Sequence, residues 1–223
     1  MCPQTNLSIL AQGIARIHRA ISRGINVGIE KGNEFRQAGF QSDQIKKGYT
    51  DYVLSLVIVL SAHHLGEDEV AFPMLKEMIP SAPFDRLQSD HHKIEALLHS
   101  IRSSVSKVAE EGSIESQASL VDDLSAINDI WIPHIQIEET HFSGEAITNA
   151  MDLEAEAQIN AAVGKHGQEH AVPGYLSLPF VLYNLHPEDR AEFESTMPDM
   201  IKNELIPVVW KDQWAAMKPF FLD

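Results

Sequence analysis

FDRLQSDHHKIEALLHSI, residues 84–101, carries Leu87, Ile94, Leu98 and Ile101 with a histidine set between the first two. Leu87, His91, Ile94, Leu98 and Ile101 follow one another at steps of 4, 3, 4 and 3 residues, as one face of an α-helix requires. His91 therefore occupies a place where a packed helix wants a hydrophobe. His92 shares its side with Glu95 and His99 and faces water.

The same anomaly recurs outward from this helix. Between Leu7 and about Phe35 the stripe Leu7, Leu10, Ile14, Ile17, Ile21 and Ile25 marks a first helix, and His18 lies on it between Ile14 and Ile21. Gly39 and Ser42 supply a stop and a new N-cap. A second helix is expected from about Asp43 through DYVLSLVIVLSA to the neighbourhood of Pro73, with a short continuation until IPSAP near residue 80. Its run 53–60 is rich in Val and Ile, yet the long uninterrupted context favours helix over strand. The third helix spans about Phe84 to Glu110. A fourth, about Ile114 to Ile147, carries Leu120, Leu124, Ile127, Trp131 and Ile135, with a kink expected at Pro133.

Helix two holds His63 and Glu67 in HHLGE, and helix four holds His134 and Glu138 in HIQIE. Each pair is four residues apart, so both side chains leave the same face. His64 and Asp68 share that spacing, which leaves the register of helix two ambiguous.

These elements predict an all-α protein: an antiparallel four-helix bundle over 1–147 with a C-terminal extension over 148–223. The extension, with AVPGYLSLPF, HPEDRAEF and VVWKDQWAAMKPFFLD, reads as shorter helices and loops packed on the bundle, because Trp210, Trp214, Phe220 and Phe221 would otherwise be exposed.

Composition narrows the function. The 223 residues suit one domain with an appendage. Thirty-two acidic against seventeen basic residues give a formal charge of -15, which argues against nucleic acid or an anionic membrane as partner. The longest apolar stretch, Val53 to Ala62, falls well short of the roughly 20 residues of a transmembrane helix. The start MCPQTNLSILAQGIARIH does not read as a secretory signal, and Cys2, the one cysteine, allows no internal disulfide. A cytoplasmic setting is the expectation.

Four helices thus each send a histidine inward, and two add a carboxylate one turn later. A lone inward histidine is more often a hydrogen-bonded core residue, and a lone His/Glu pair at four residues is more often a surface pair. Four independent coincidences are harder to accept. Burying such groups without partners costs several kcal/mol for each charge, in a domain stable by about 5–15 kcal/mol. One or two bound cations remove that cost, and imidazoles suit iron or zinc better than magnesium or calcium, with manganese a further metal that the same ligand set accepts.

The pattern of a histidine, an H-x-x-x-E, a histidine and a second H-x-x-x-E resembles the hemerythrin HHE cation-binding family over about residues 10–145. It is carried by IHRAISRGI around His18, HHLGEDEVAFP around His63, DHHKIEALL around His91 and PHIQIEE around His134. The resemblance implies two non-haem irons, oxo- or hydroxo-bridged, with metal ligands His18, His63, Glu67, His91, His134 and Glu138 and an open position for O2 or a derived ligand. Oxygen carriers of that family use more histidines and a bridging aspartate; the four-His, two-Glu version is associated more with redox, peroxide or iron-handling roles. His64 is either a seventh ligand or a hydrogen bonder to one. Asp68, His141, His166 and His170 are further candidates, the last two as an H-x-x-x-H pair for which a surface role is the blander reading.

Three functions follow as alternatives: a diiron protein that binds or reduces O2 or peroxide, a diiron oxygenase or oxidase acting on a small organic substrate in a pocket built by the extension, or a non-enzymatic metal sensor or store.

Overall fold

Ser8 opens the first helix: its Oγ accepts the Ala11 N–H at 3.0 Å, and α1 then runs Ile9–Ala38 until Gly39, at φ +73°, turns the chain away. The computed structural model describes residues 8–222; Cys2, Leu7 and the 1–7 part of the start sequence lie outside the described residues. Ser42 caps α2, Asp43–Gly66, by accepting the Ile45 N–H at 3.2 Å. The Val/Ile-rich run 53–60 lies inside α2 as helix.

α2 does not continue smoothly to Pro73. A π turn, Glu67–Ala71, intervenes before α3, Phe72–Met78. Pro73 has no N–H to give to the carbonyl four residues back, and the wider turn, in which the Phe72 N–H reaches the Glu67 carbonyl, accommodates that loss. α4 spans Phe84–Glu110 and α5 Ile114–His141. Pro133 lies within α5 without ending it. The fourth helix stops six residues short of Ile147, because Ser143 caps a new one, α6, Gly144–Ala150, by accepting the Ala146 N–H at 3.3 Å.

α1 packs on α5, α5 on α4, α4 on α2 and α2 on α1. Among the described residues there is no strand, and no helix is long and apolar enough to cross a membrane. The predicted stripe is inward on α4, where Leu87, His91, Ile94, Leu98 and Ile101 are buried and His92 and His99 are exposed.

The remaining chain is more regular than the sequence suggested. α7 covers Leu153–His170, followed by α8 at Gly174–Asn184 and α9 at Pro187–Ser195. A second π segment, Ile201–Val209, a short helix α10, Lys211–Trp214, and a 3-10 turn, Ala215–Phe220, complete it. α7 packs on α1, α2 and the π turn; α8 packs on α1 and α2; the 3-10 turn lies along α2. The buried carboxylate of Glu156, on α7, accepts from Ser8 Oγ at 2.5 Å and from the Leu10 N–H at 2.9 Å, which satisfies donors at the start of α1. Phe180, Trp214, Met217 and Phe220 are buried in the main core; Trp210 and Phe221 are half-buried against it.

Two apolar clusters result. One contains Ile21, Ile25, Leu60, Ile94, Leu98, Ile127 and Trp131. The other contains Leu10, Phe72, Leu75, Phe84, Leu87 and Phe142. On α1, α2, α4 and α5 the chain passes from one to the other through His18, His63 to Glu67, His91, and His134 to Glu138. A polar layer therefore lies between two hydrophobic ones.

Candidate metal centre

In this layer two groups of side chains each bring four ligand atoms within 4.8 Å of one another: His64, Glu67, His91 and His134, and His18, His63, Glu67 and Glu138. All six residues that the resemblance singled out meet here, with His64 as a seventh. His63 and His64 straddle the inward direction of α2, about 100° apart as neighbours on a helix, so the ambiguity of register ends with both rings inside, 5.5 Å between centroids.

The distances are those between neighbouring ligands of a common ion. Glu67 Oε2 stands 3.4 Å from His63 Nε2 and 3.4 Å from His91 Nε2. Glu138 Oε2 stands 3.2 Å from His18 Nε2 and 3.4 Å from His134 Nε2, and His91 Nε2 is 3.2 Å from His134 Nε2. Two donor atoms about 2.0–2.1 Å from one cation are separated by about 2.9–3.4 Å between square and tetrahedral angles. Each glutamate oxygen touches a histidine of both groups.

His91 Nε2 and His134 Nε2 lie within hydrogen-bond distance of each other; hydrogen bonding leaves the other atoms available. His18 Nε2, His63 Nε2, both ring nitrogens of His64, Glu67 Oε2 and both oxygens of Glu138 are buried with no hydrogen-bond partner. The contacts of Glu138 with His18 and His134 fall within ion-pair distance, but no N–H is directed along them. Left so, these groups forfeit their hydration without replacement. A cation-binding role fits this donor set: it is rich in imidazole, shared between two groups by a carboxylate, and enclosed by apolar walls.

Two more carboxylates orient the rings. Glu139 Oε1 is 2.9 Å from His18 Nδ1, and Asp68 Oδ1 is 3.0 Å from His91 Nδ1. A carboxylate that accepts a hydrogen bond from Nδ1–H holds the proton on Nδ1 and leaves the Nε2 lone pair facing the cluster. Asp68, a ligand candidate on spacing, thus stands behind a histidine and outside both groups. The π turn makes this possible, since it sends Glu67 into the cluster, Asp68 to His91 and Glu69 to His166. Glu139 escaped the sequence reading because nothing in spacing distinguishes it from a solvated neighbour of Glu138; it is itself 46% exposed.

The other candidates are elsewhere. His141 is half-buried at the end of α5. His166 Nε2 meets Glu69 Oε2 at 3.0 Å, and His170 Nδ1 donates to the His166 carbonyl at 2.9 Å. Their rings stack face to face at 3.9 Å. None of the three belongs to either group.

Charge shapes the cluster without a cation. Burial, then the neighbouring imidazoles, hold His63 and His64 well below the usual histidine range. Burial also acts against a charged His18, but Glu138 and Glu139 outweigh it and raise its pKa. Burial, then Glu138 and Asp68, push Glu67 well up. For Glu138 burial is again the largest influence and acts upward, yet His134 and His18 together hold it well below the carboxylate range.

Trp131 seals the layer on one side. Its ring centroid is 5.3 Å from that of His18 and 6.0 Å from those of His63, His64 and His134, while Nε1 donates to Ser22 Oγ at 2.8 Å. Beyond His18 a cleft of about 470 Å³ opens, with Glu139, Arg23, Asn184 and His186 in its wall.

The hemerythrin HHE cation-binding domain model matches residues 11–146. No curated protein and no solved structure matches the chain.

Proposed function

Because the chain belongs to the hemerythrin HHE cation-binding family, we propose that it is a non-haem dimetal protein, with two irons, that binds or reduces O2 or peroxide. The observation that carries this reading is the shared use of each inward glutamate. Glu67 and Glu138 each approach one histidine of either group, so either carboxylate would be placed to serve two neighbouring cations. In this reading His64, His91 and His134 hold one ion, and His18 and His63 the other. An antiparallel four-helix bundle over 1–147 provides these ligands, 148–223 forms the extension, and the setting is cytoplasmic.

Held by these residues, a pair of irons would supply the electrons for reducing a small oxidant and be oxidised in turn. The chain's own part is different. Glu139 and Asp68 fix the tautomers of His18 and His91, Trp131 and Phe72 keep water from the cluster, and the apolar clusters on either side lower the local dielectric.

A second reading, oxidation of a small organic substrate, is favoured by the cleft next to His18. Its volume lies within the roughly 300–1,000 Å³ typical of ligand sites.

Anaerobic purification with metal analysis, followed by absorption spectra on adding O2 or peroxide, tests the proposal. Two irons per chain and a new visible band are expected. A colourless zinc protein inert to both oxidants would overturn it.

A further inference from the structure

We infer that the cleft between α1 and the C-terminal extension is a binding site for a small organic carboxylate, with the Arg23 guanidinium as its anchor. This deepens the second reading above and rests on it only for what becomes of the bound molecule.

Of the four arginines on α1, those at positions 16, 19 and 23 meet the extension, which treats them unequally. Arg16 pairs with Glu192. Arg19 is held bidentately by Asp189, at 2.7 and 2.6 Å. Arg23 meets no carboxylate among the described residues. Its Nη1 alone makes all its bonds, to Tyr52 Oη at 3.3 Å, to the Phe220 carbonyl at 2.8 Å and to Asn184 Oδ1, each an uncharged acceptor. Nε and Nη2 have no hydrogen-bond partner among the described residues, yet they are not buried, and the side chain lines the cleft.

A guanidinium that meets no counter-charge among the described residues is notable in a chain of formal charge -15. Its planar fork offers the two parallel N–H groups that a carboxylate accepts. The two N–H groups of Nη1, shared among three acceptors, hold the fork in place before a ligand arrives, which limits the entropy lost on binding. Asn184 and His186, both from the extension, add polar atoms to the wall. Ile135, on α5, adds apolar surface. The cleft far exceeds what a diatomic needs, since one water occupies about 30 Å³. The one carboxylate in the wall, Glu139, is engaged with His18 Nδ1, so a bound acid would lie beside the outer edge of that ring.

Titration calorimetry of the full chain with benzoate and with benzamide tests the assignment, since the two probes share a shape and differ in charge. Benzoate is expected to bind at least about tenfold more tightly than benzamide, and Arg23→Gln to abolish the difference. Arg23 also ties the extension to α2, so a second variant, Asn26→Trp at an exposed position of the cleft, is to be compared. It should block both probes at an unchanged melting temperature. Equal affinity for the two probes, no benzoate heat at millimolar concentration, stronger binding of inorganic phosphate, or undiminished binding by Asn26→Trp would each overturn the inference. Metal is assayed on the same samples. A chain with its two metals that ignores benzoate sinks the carboxylate site and spares the metal reading; a metal-free chain that binds benzoate does the reverse.

Discussion

Glu139 Oε1 lies 2.9 Å from Nδ1 of His18, on the side of the ring away from the cluster. Asp68 stands in the same relation to His91. Carboxylates so placed govern tautomer, orientation and basicity of a ligand imidazole, and their loss costs metal proteins about 10–100-fold in affinity or activity. Glu139→Gln and Asp68→Asn are each expected to weaken metal binding by about that factor with helicity unchanged. Competition against a chelator of known affinity, alongside circular dichroism, measures it.

His64 is the ligand candidate that spacing left undecided, and it belongs to only one of the two groups. His64→Leu keeps the side chain apolar and of similar bulk. Metal analysis should show one of the two ions lost, with the other retained by His18, His63, Glu67 and Glu138. Full metal content in this variant would return His64 to the role of a bystander.

Protons compete with cations for this cluster. In the metal-free chain Glu138 and Glu139 outweigh burial and raise the pKa of His18 above the usual histidine range, and burial, then Glu138 and Asp68, raise that of Glu67 well above the usual carboxylate range. Uptake must expel whichever protons these two groups hold, the His18 proton first among them through pH 6.5. Affinity is therefore expected to fall as pH is lowered and to rise as it is raised, through and above pH 6.5, by roughly tenfold per pH unit for each proton released. His63 and His64, already neutral near pH 7 because of burial and the neighbouring rings, contribute nothing to that slope. Calorimetry in buffers of different ionisation enthalpy counts the protons.

Gly48, on α2, faces the carbonyl of Ala216 so closely that an added Cβ would collide with backbone. No side chain there can swing aside. Gly48→Ala should destabilise by about 1–3 kcal/mol, with a melting temperature lower by roughly 2–4 °C for each kcal/mol. Metal content at low temperature should be unaffected, since the contact lies in the extension and not in the polar layer.

Periodicity made much of this legible. Stripes on α1 and α4 placed His18 and His91 inside before any distance was known, and the four-residue spacing put Glu67 with His63 and Glu138 with His134. Other features escaped it for definite reasons. The end of α5 near Phe142 depends on one serine competing for a backbone N–H, a weak signal inside an apolar pattern. The regularity of α7 was missed because its apolar face is sparse; Glu156, buried against Ser8 and Leu10, does part of the work that a hydrophobe would do.

By itself the sequence determined which way each helix faces, because a 3.6-residue repeat is local and survives any arrangement of neighbours. It also determined that histidine and glutamate would have to share the interior. Only the tertiary structure decided that His64 enters beside His63, that Asp68 and Glu139 stand behind imidazoles rather than among them, and that Arg23 meets no acid among the described residues where Arg16 and Arg19 each have one. Those outcomes depend on contacts between residues up to 197 positions apart in the chain, such as Arg23 and the Phe220 carbonyl, and no local pattern records which distant groups will meet.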